Sequence, residues 1–169
     1  MANIELAEFL AHSLELESEA RDRYEELADT MTIHHNGQVA QFFLNMALEA
    51  RHHLEEVADL AKGITLPELK AWEFNWPEAE PPETASYEAM HYRMSLHEAI
   101  TLALENEYAA EQYYRQIANT SGNADTAKIA GQFADEERSH AAKLESMLQN
   151  IPENGVHQRE EDDEPHMPE

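Results

Sequence analysis

The chain has 169 residues, 35 acidic side chains against 11 lysines and arginines, a net charge of −24, ten histidines and no cysteine. Without cysteine there are no disulfides, thiolate zinc sites, cysteine-ligated iron–sulfur clusters or cysteine nucleophiles. The acidic balance argues against nucleic acid and anionic membrane surfaces, which call for basic patches, and no run approaches the ~18 apolar residues of a membrane span.

One domain is expected at this length, and 42% apolar content suffices for a core. Apolar residues recur at helical spacing and no strand alternation is visible. Helix A is predicted from about Asn3 to Met31, ending before the Asn36-Gly37 turn signal. Helix B runs from about Gln38 to Lys62, with Gly63 as its left-handed terminator and Pro67 just beyond. A connection over 64–94 carries Pro67, Pro77, Pro81, Pro82, Trp72 and Trp76, with a short helix near Tyr87 to Arg93. The two tryptophans read as anchors against the helices. Helix C starts at Ser95, which makes an S-x-x-E capping box with Glu98, and runs to about Asn119. Helix D runs from about Asp125 to Asn150, stopped by Pro152. Residues 153–169, with seven acids and one arginine, read as a disordered acidic tail after a domain over 1–152. The fold class expected is all-α, an antiparallel four-helix bundle with a long connection between its second and third helices. The N-terminus lacks the basic-then-apolar order of a signal peptide, so a cytoplasmic protein is expected.

Helices A and C repeat one another at an offset of 90 residues, with nine identities between 4–31 and 94–121. Glu17 pairs with Glu107 and Tyr24 with Tyr114. Both helices carry a heptad seam: Leu6, Leu10, Ser13, Glu17, Ala20, Tyr24 in one and Leu96, Ile100, Ala103, Glu107, Ala110, Tyr114 in the other. Glu17 and Glu107 therefore occupy core positions, where a lone carboxylate is costly unless paired or neutralised.

Helix B contains Glu49-Ala50-Arg51-His52 and helix D contains Glu137-Arg138-Ser139-His140. Residues three apart share a helix face, so each pair can reach one metal ion from one side. With 28 glutamates and ten histidines, chance supplies about two such pairs, and a third, Glu88 with His91, is read as a decoy. Glu49 follows Phe42 and Met46 on an apolar stripe; Glu137 follows Ala130 and Ala134. His53, four residues after Glu49, also faces roughly inward, as a ligand, a donor behind the ligands or a core histidine. His52 is preferred because helix D has only the plus-three spacing.

With the repeats facing each other, Glu17, Glu49, His52, Glu107, Glu137 and His140 reach one level. Four carboxylates and two imidazoles suit two divalent ions, whose charge balances the carboxylates. Glu49 and Glu137 are the expected bridges. Two Fe ions per bundle are expected, with Mn or Zn as alternatives. Tyr24 and Tyr114, two turns beyond Glu17 and Glu107, either hydrogen-bond the ligands or serve as core aromatics.

The stretches Glu17-Ser18-Glu19-Ala20-Arg21-Asp22-Arg23-Tyr24 and Ala134-Asp135-Glu136-Glu137-Arg138-Ser139-His140-Ala141, with the helix B pair, resemble the rubrerythrin branch of the ferritin-like superfamily. The resemblance covers roughly 4–62 and 95–150. It implies a ferritin-like bundle, a di-iron site and an oxidoreductase acting on hydrogen peroxide or O₂. Two features depart from it. Rubrerythrins proper carry a cysteine-ligated rubredoxin domain; this chain has no cysteine, so electrons must come from Fe²⁺ or an external donor. They also carry a further glutamate one turn after the helix C ligand, where this chain has Ala110, with Glu111 one residue beyond. The six remaining ligands are also similar to those of bacterioferritin, which keeps ferroxidase activity open. Iron storage or delivery and a non-catalytic metal-binding bundle are the alternatives. A homodimer or higher homo-oligomer is expected, with exchange of helix pairs between chains as one way to build it.

Overall fold

The computed structural model describes residues 2–68 and 93–151. It holds four helices: α1 (Ala2–Ile33), α2 (Gly37–Leu60), α3 (Leu96–Thr120) and α4 (Ala124–Gln149). Helix α1 packs along α2 and α3 along α4, and the two hairpins close on each other through α2 against α3 and α1 against α4. This is the expected all-α, ferritin-like four-helix bundle. The short helix expected near Tyr87 to Arg93, both tryptophans and the acidic tail lie outside the described residues.

The helix ends follow local chemistry. Between α1 and α2 the left-handed residue is His35 (φ 61°), one position ahead of the Asn36-Gly37 signal. Asn36 is occupied otherwise: its backbone N–H donates to Met31 O at 2.7 Å, and its side-chain Nδ2 donates to Met94 O at 2.7 Å, tying the turn to the approach to α3. Beyond α2, Gly63 takes φ 82°, as its place after the last turn predicts. Ser95 and Glu98 form the capping box, with Glu98 N–H donating to Ser95 Oγ at 2.9 Å and Ser95 N–H to Glu98 Oε1 at 3.0 Å. Asn123 Oδ1 accepts from Thr126 N–H at 2.8 Å and starts α4.

The core is divided. One apolar cluster gathers Met31, Val39, Phe43, Met46, Ile100 and Leu144; the other gathers Phe9, Leu10, Val57, Tyr114, Ala130 and Phe133. Along every helix a buried polar residue stands where one cluster gives way to the other: Glu17, His53, Glu107 and Glu137. Each fully buried side chain of Leu, Ile or Phe size contributes about 1.5–3 kcal/mol. The two apolar blocks thus sustain a polar layer that disfavours folding unless its charges are matched.

Candidate metal centre

Four side chains, one from each helix, form the layer: Glu17 (4% exposed), His53 (3%), Glu107 (8%) and Glu137 (4%). His53 Nδ1 lies 2.9 Å from Glu17 Oε2 and 3.2 Å from Glu137 Oε2. On the other side, His140 Nδ1 lies 3.6 Å from both Glu107 Oε1 and Glu137 Oε1. The donor atoms of Glu17, His53 and Glu137 all lie within 4.8 Å of one another, and so do those of Glu107, Glu137 and His140. Glu137 belongs to both triads, one carboxylate oxygen facing each.

A cavity of about 30 Å³ lies among these groups, lined by Glu17, Glu49, His53, Glu107, Glu137 and His140. It has room for one or two atoms of water size. Five of the six predicted ligands therefore reach one cavity. The sixth, His52, does not: it is exposed, and His53 takes the inward place. The preference for His52 differs from the structure's inward residue because of the seam of α2. Val39, Phe43, Met46, Ala50, His53 and Val57 alternate steps of four and three, and all are buried. His52 lies about 100° round the helix from that seam. Glu49 is also off it. It is half-buried, and Lys143 Nζ donates to its Oε2 at 3.2 Å, so it stands at the rim rather than within either triad.

Tyrosines complete the layer differently in its two halves. Tyr114 Oη donates to Glu17 Oε2 at 3.0 Å. Tyr24 does not reach a carboxylate in this way; its Oη accepts from Asn106 Nδ2 at 3.2 Å, next to Glu107. Burial raises both phenols above their ordinary value, so both stay protonated at neutral pH. Phe133 meets the His53 ring edge-on at 4.8 Å and 90°, fixing the imidazole plane. Ala110 lines the cavity, whereas Glu111 turns to Arg115 at 3.5 Å, so no further α3 carboxylate enters.

The charges of the layer act strongly on one another. Burial, reinforced by the Glu137 charge, raises Glu17, and burial raises Glu107 well above the usual carboxylate range. Burial acts on Glu137 too, but His140 and His53 outweigh it and hold that carboxyl below the range. Burial alone would lower His53; contact with Glu137 and Glu17 pushes it up to about 11. Glu107 and Glu137 push His140 up to about 10. Metal-free, the layer thus neutralises itself with protons.

The donor set fits divalent metal. Neither nitrogen of His53 has a hydrogen-bond partner, despite the close carboxylates, and Glu107 Oε1 has none. The His53 contacts are short but misdirected for hydrogen bonds, as expected of ligands converging on a common point. Coordination to a cation would give these atoms directed partners. Oxygen and imidazole nitrogen suit iron, manganese and zinc. Sequence reasoning missed Asn106 and Glu136; the latter's Oε1 lies 3.2 Å from His53 Nε2.

Comparison with known proteins agrees with this chemistry. The model of the family described as Rubrerythrin matches residues 8–148 and, in an overlapping match, 98–166. A solved structure of an uncharacterised conserved protein from Magnetospirillum magnetotacticum is 35% identical, covering 87% of this chain and 95% of its own, with a TM-score of 0.72. No curated protein matches. Among the described residues, no helix is long and apolar enough to cross a membrane.

Proposed function

Since the chain belongs to the rubrerythrin family, we propose that its buried layer holds two iron ions and that the protein reduces hydrogen peroxide or O₂. The observation that carries this reading is the position of Glu137, shared between two donor triads that line one cavity. Glu17 and His53 would hold one ion, Glu107 and His140 the other, with Glu137 between them and Glu49 closing in from the rim. Bound there, two ferrous ions supply the two electrons that, with two protons, convert one hydrogen peroxide to two waters.

The chain's own residues bind, orient and exclude. Four carboxylates match the charge of two divalent ions, so the protons now held on His53 and His140 leave as metal enters. Tyr114 holds Glu17 Oε2 in place through its hydroxyl. Phe133 and Tyr114 pack against the His53 ring and hold it in place. The side of Glu49 and His140 is the more open one, with side-chain exposures of 32% and 28%, and is where a small oxidant enters. With no cysteine in the sequence, re-reduction comes from Fe²⁺ or a separate donor protein.

Anaerobic titration with Fe²⁺ should saturate at two ions per chain. Adding hydrogen peroxide should then raise near-ultraviolet charge-transfer absorption and consume one peroxide per two Fe²⁺. Saturated protein that leaves peroxide untouched would overturn the redox reading while keeping the metal site.

A further inference from the structure

A second concavity, of about 310 Å³, opens between α2 and α4. It shares Glu49, His53 and His140 with the buried cavity, so the two adjoin. Its wall contains no lysine or arginine; carboxylates and imidazoles predominate. Within it, the donor atoms of His53, Glu56 and Glu136 all lie within 4.8 Å of one another. The acids alone would be ordinary surface. The third member is different: His53 is 3% exposed, its Nε2 has no hydrogen-bond partner, and it points into this group at 3.2 Å from Glu136 Oε1.

We propose that His53 Nε2, Glu56 and Glu136 form an outer divalent-cation site, which captures the incoming ion before it passes to the buried centre. The proposal rests on the buried layer being a metal site. It follows from the two faces of one imidazole: Nδ1 looks inward to Glu17 and Glu137, and Nε2 outward to Glu136. A neutral imidazole offers one lone pair. An ion on Nε2 leaves the proton on Nδ1; an ion on Nδ1 leaves the proton on Nε2, facing Glu136. The outer site is therefore a station for entry, vacated when the inner ion arrives. The anionic cleft also concentrates cations at its mouth.

The experiment is stopped-flow uptake of limiting Co²⁺ by the full-length protein, followed by its visible absorption, with final stoichiometry from calorimetry. Glu56→Gln and Glu136→Gln should each slow uptake about tenfold and leave two Co²⁺ per chain at the end. Glu55→Gln, which removes the same charge from an exposed neighbour on α2, should leave the rate unchanged. An unchanged rate in either cleft variant overturns the proposal. Equal slowing by Glu55→Gln also overturns it, because overall charge then suffices. A lower final stoichiometry in Glu56→Gln overturns it as well, by making Glu56 part of the centre itself. Wild-type protein that takes up no Co²⁺ fails at the buried layer, a result distinct from all of these.

Discussion

The two helix hairpins supply the same kinds of ligand in opposite arrangements. In the second hairpin, α4 places the carboxylate in the core and the imidazole at the rim: the Glu137 side chain is 5% exposed and that of His140 is 28%. In the first, α2 does the reverse, with His53 at 3% and Glu49 at 32%. The tyrosines differ in parallel, since Tyr114 of the second hairpin grips Glu17 while Tyr24 of the first grips Asn106. A repeat in sequence thus does not make a symmetric site. A rotation of about 100° per residue is enough to exchange which member of a Glu and His pair is buried, and of the two motif glutamates only Glu137 lies deep.

The largest consequence is an inequality between the two motif glutamates. Glu137→Ala should abolish tight binding at both metal positions, because both triads lose a member. Glu49→Ala should retain two sites and weaken them about 10–100-fold, the range for groups that support a centre from its edge. Calorimetric titration with Mn²⁺ checks both. Equal loss in the two variants would restore the symmetric picture and remove the distinction between core and rim.

Next in size is the adjacent pair on α2. His53→Ala should lower Mn²⁺ affinity by about 100-fold or more, whereas His52→Ala should stay near wild type. A reversed result would mean that the ligand face of α2 turns when metal binds.

Titration separates the metal-free from the loaded protein. His140 is raised from 6.5 to about 10, and His53 further. A raised histidine contributes stability that is complete below its unfolded value and lost as pH climbs through its folded one. The metal-free protein should therefore lose thermal stability progressively from about pH 6.5 to about pH 11. The Mn²⁺-loaded protein should not lose it over that range, because coordination needs the imidazoles neutral. Parallel melting curves for the two forms would contradict the assignment of these histidines.

The bundle was legible because each helix carries its own punctuation and stripe. The Ser95 capping box and Gly63 appear where the sequence places them. Glu17 and Glu107 were legible because a carboxylate on a heptad seam is conspicuous against apolar neighbours. His53 was harder. The seam from Val39 to Val57 points to it, but comparison with the plus-three motif of α4 pulls the reading one residue away. Glu136 and Asn106 carry no sequence signal, because their roles come from contacts between helices distant in the chain.

The tyrosines give the finest test of the same asymmetry. Tyr114→Phe removes a donor from a buried carboxylate, a hydrogen bond worth about 1.5–3 kcal/mol when one partner is charged. Tyr24→Phe removes only an acceptor for the Asn106 amide, worth about 1 kcal/mol. Urea unfolding of the Mn²⁺-loaded proteins should show Tyr114→Phe as the more destabilised of the two, with unchanged m-values. The metal should sharpen the contrast, because a coordinated Glu17 is held as a carboxylate and accepts more strongly than one that burial tends to protonate. Equal costs in the loaded protein would mean that Glu17 and Glu107 share one environment once metal is present, and that the asymmetry of the hairpins belongs to the metal-free state alone.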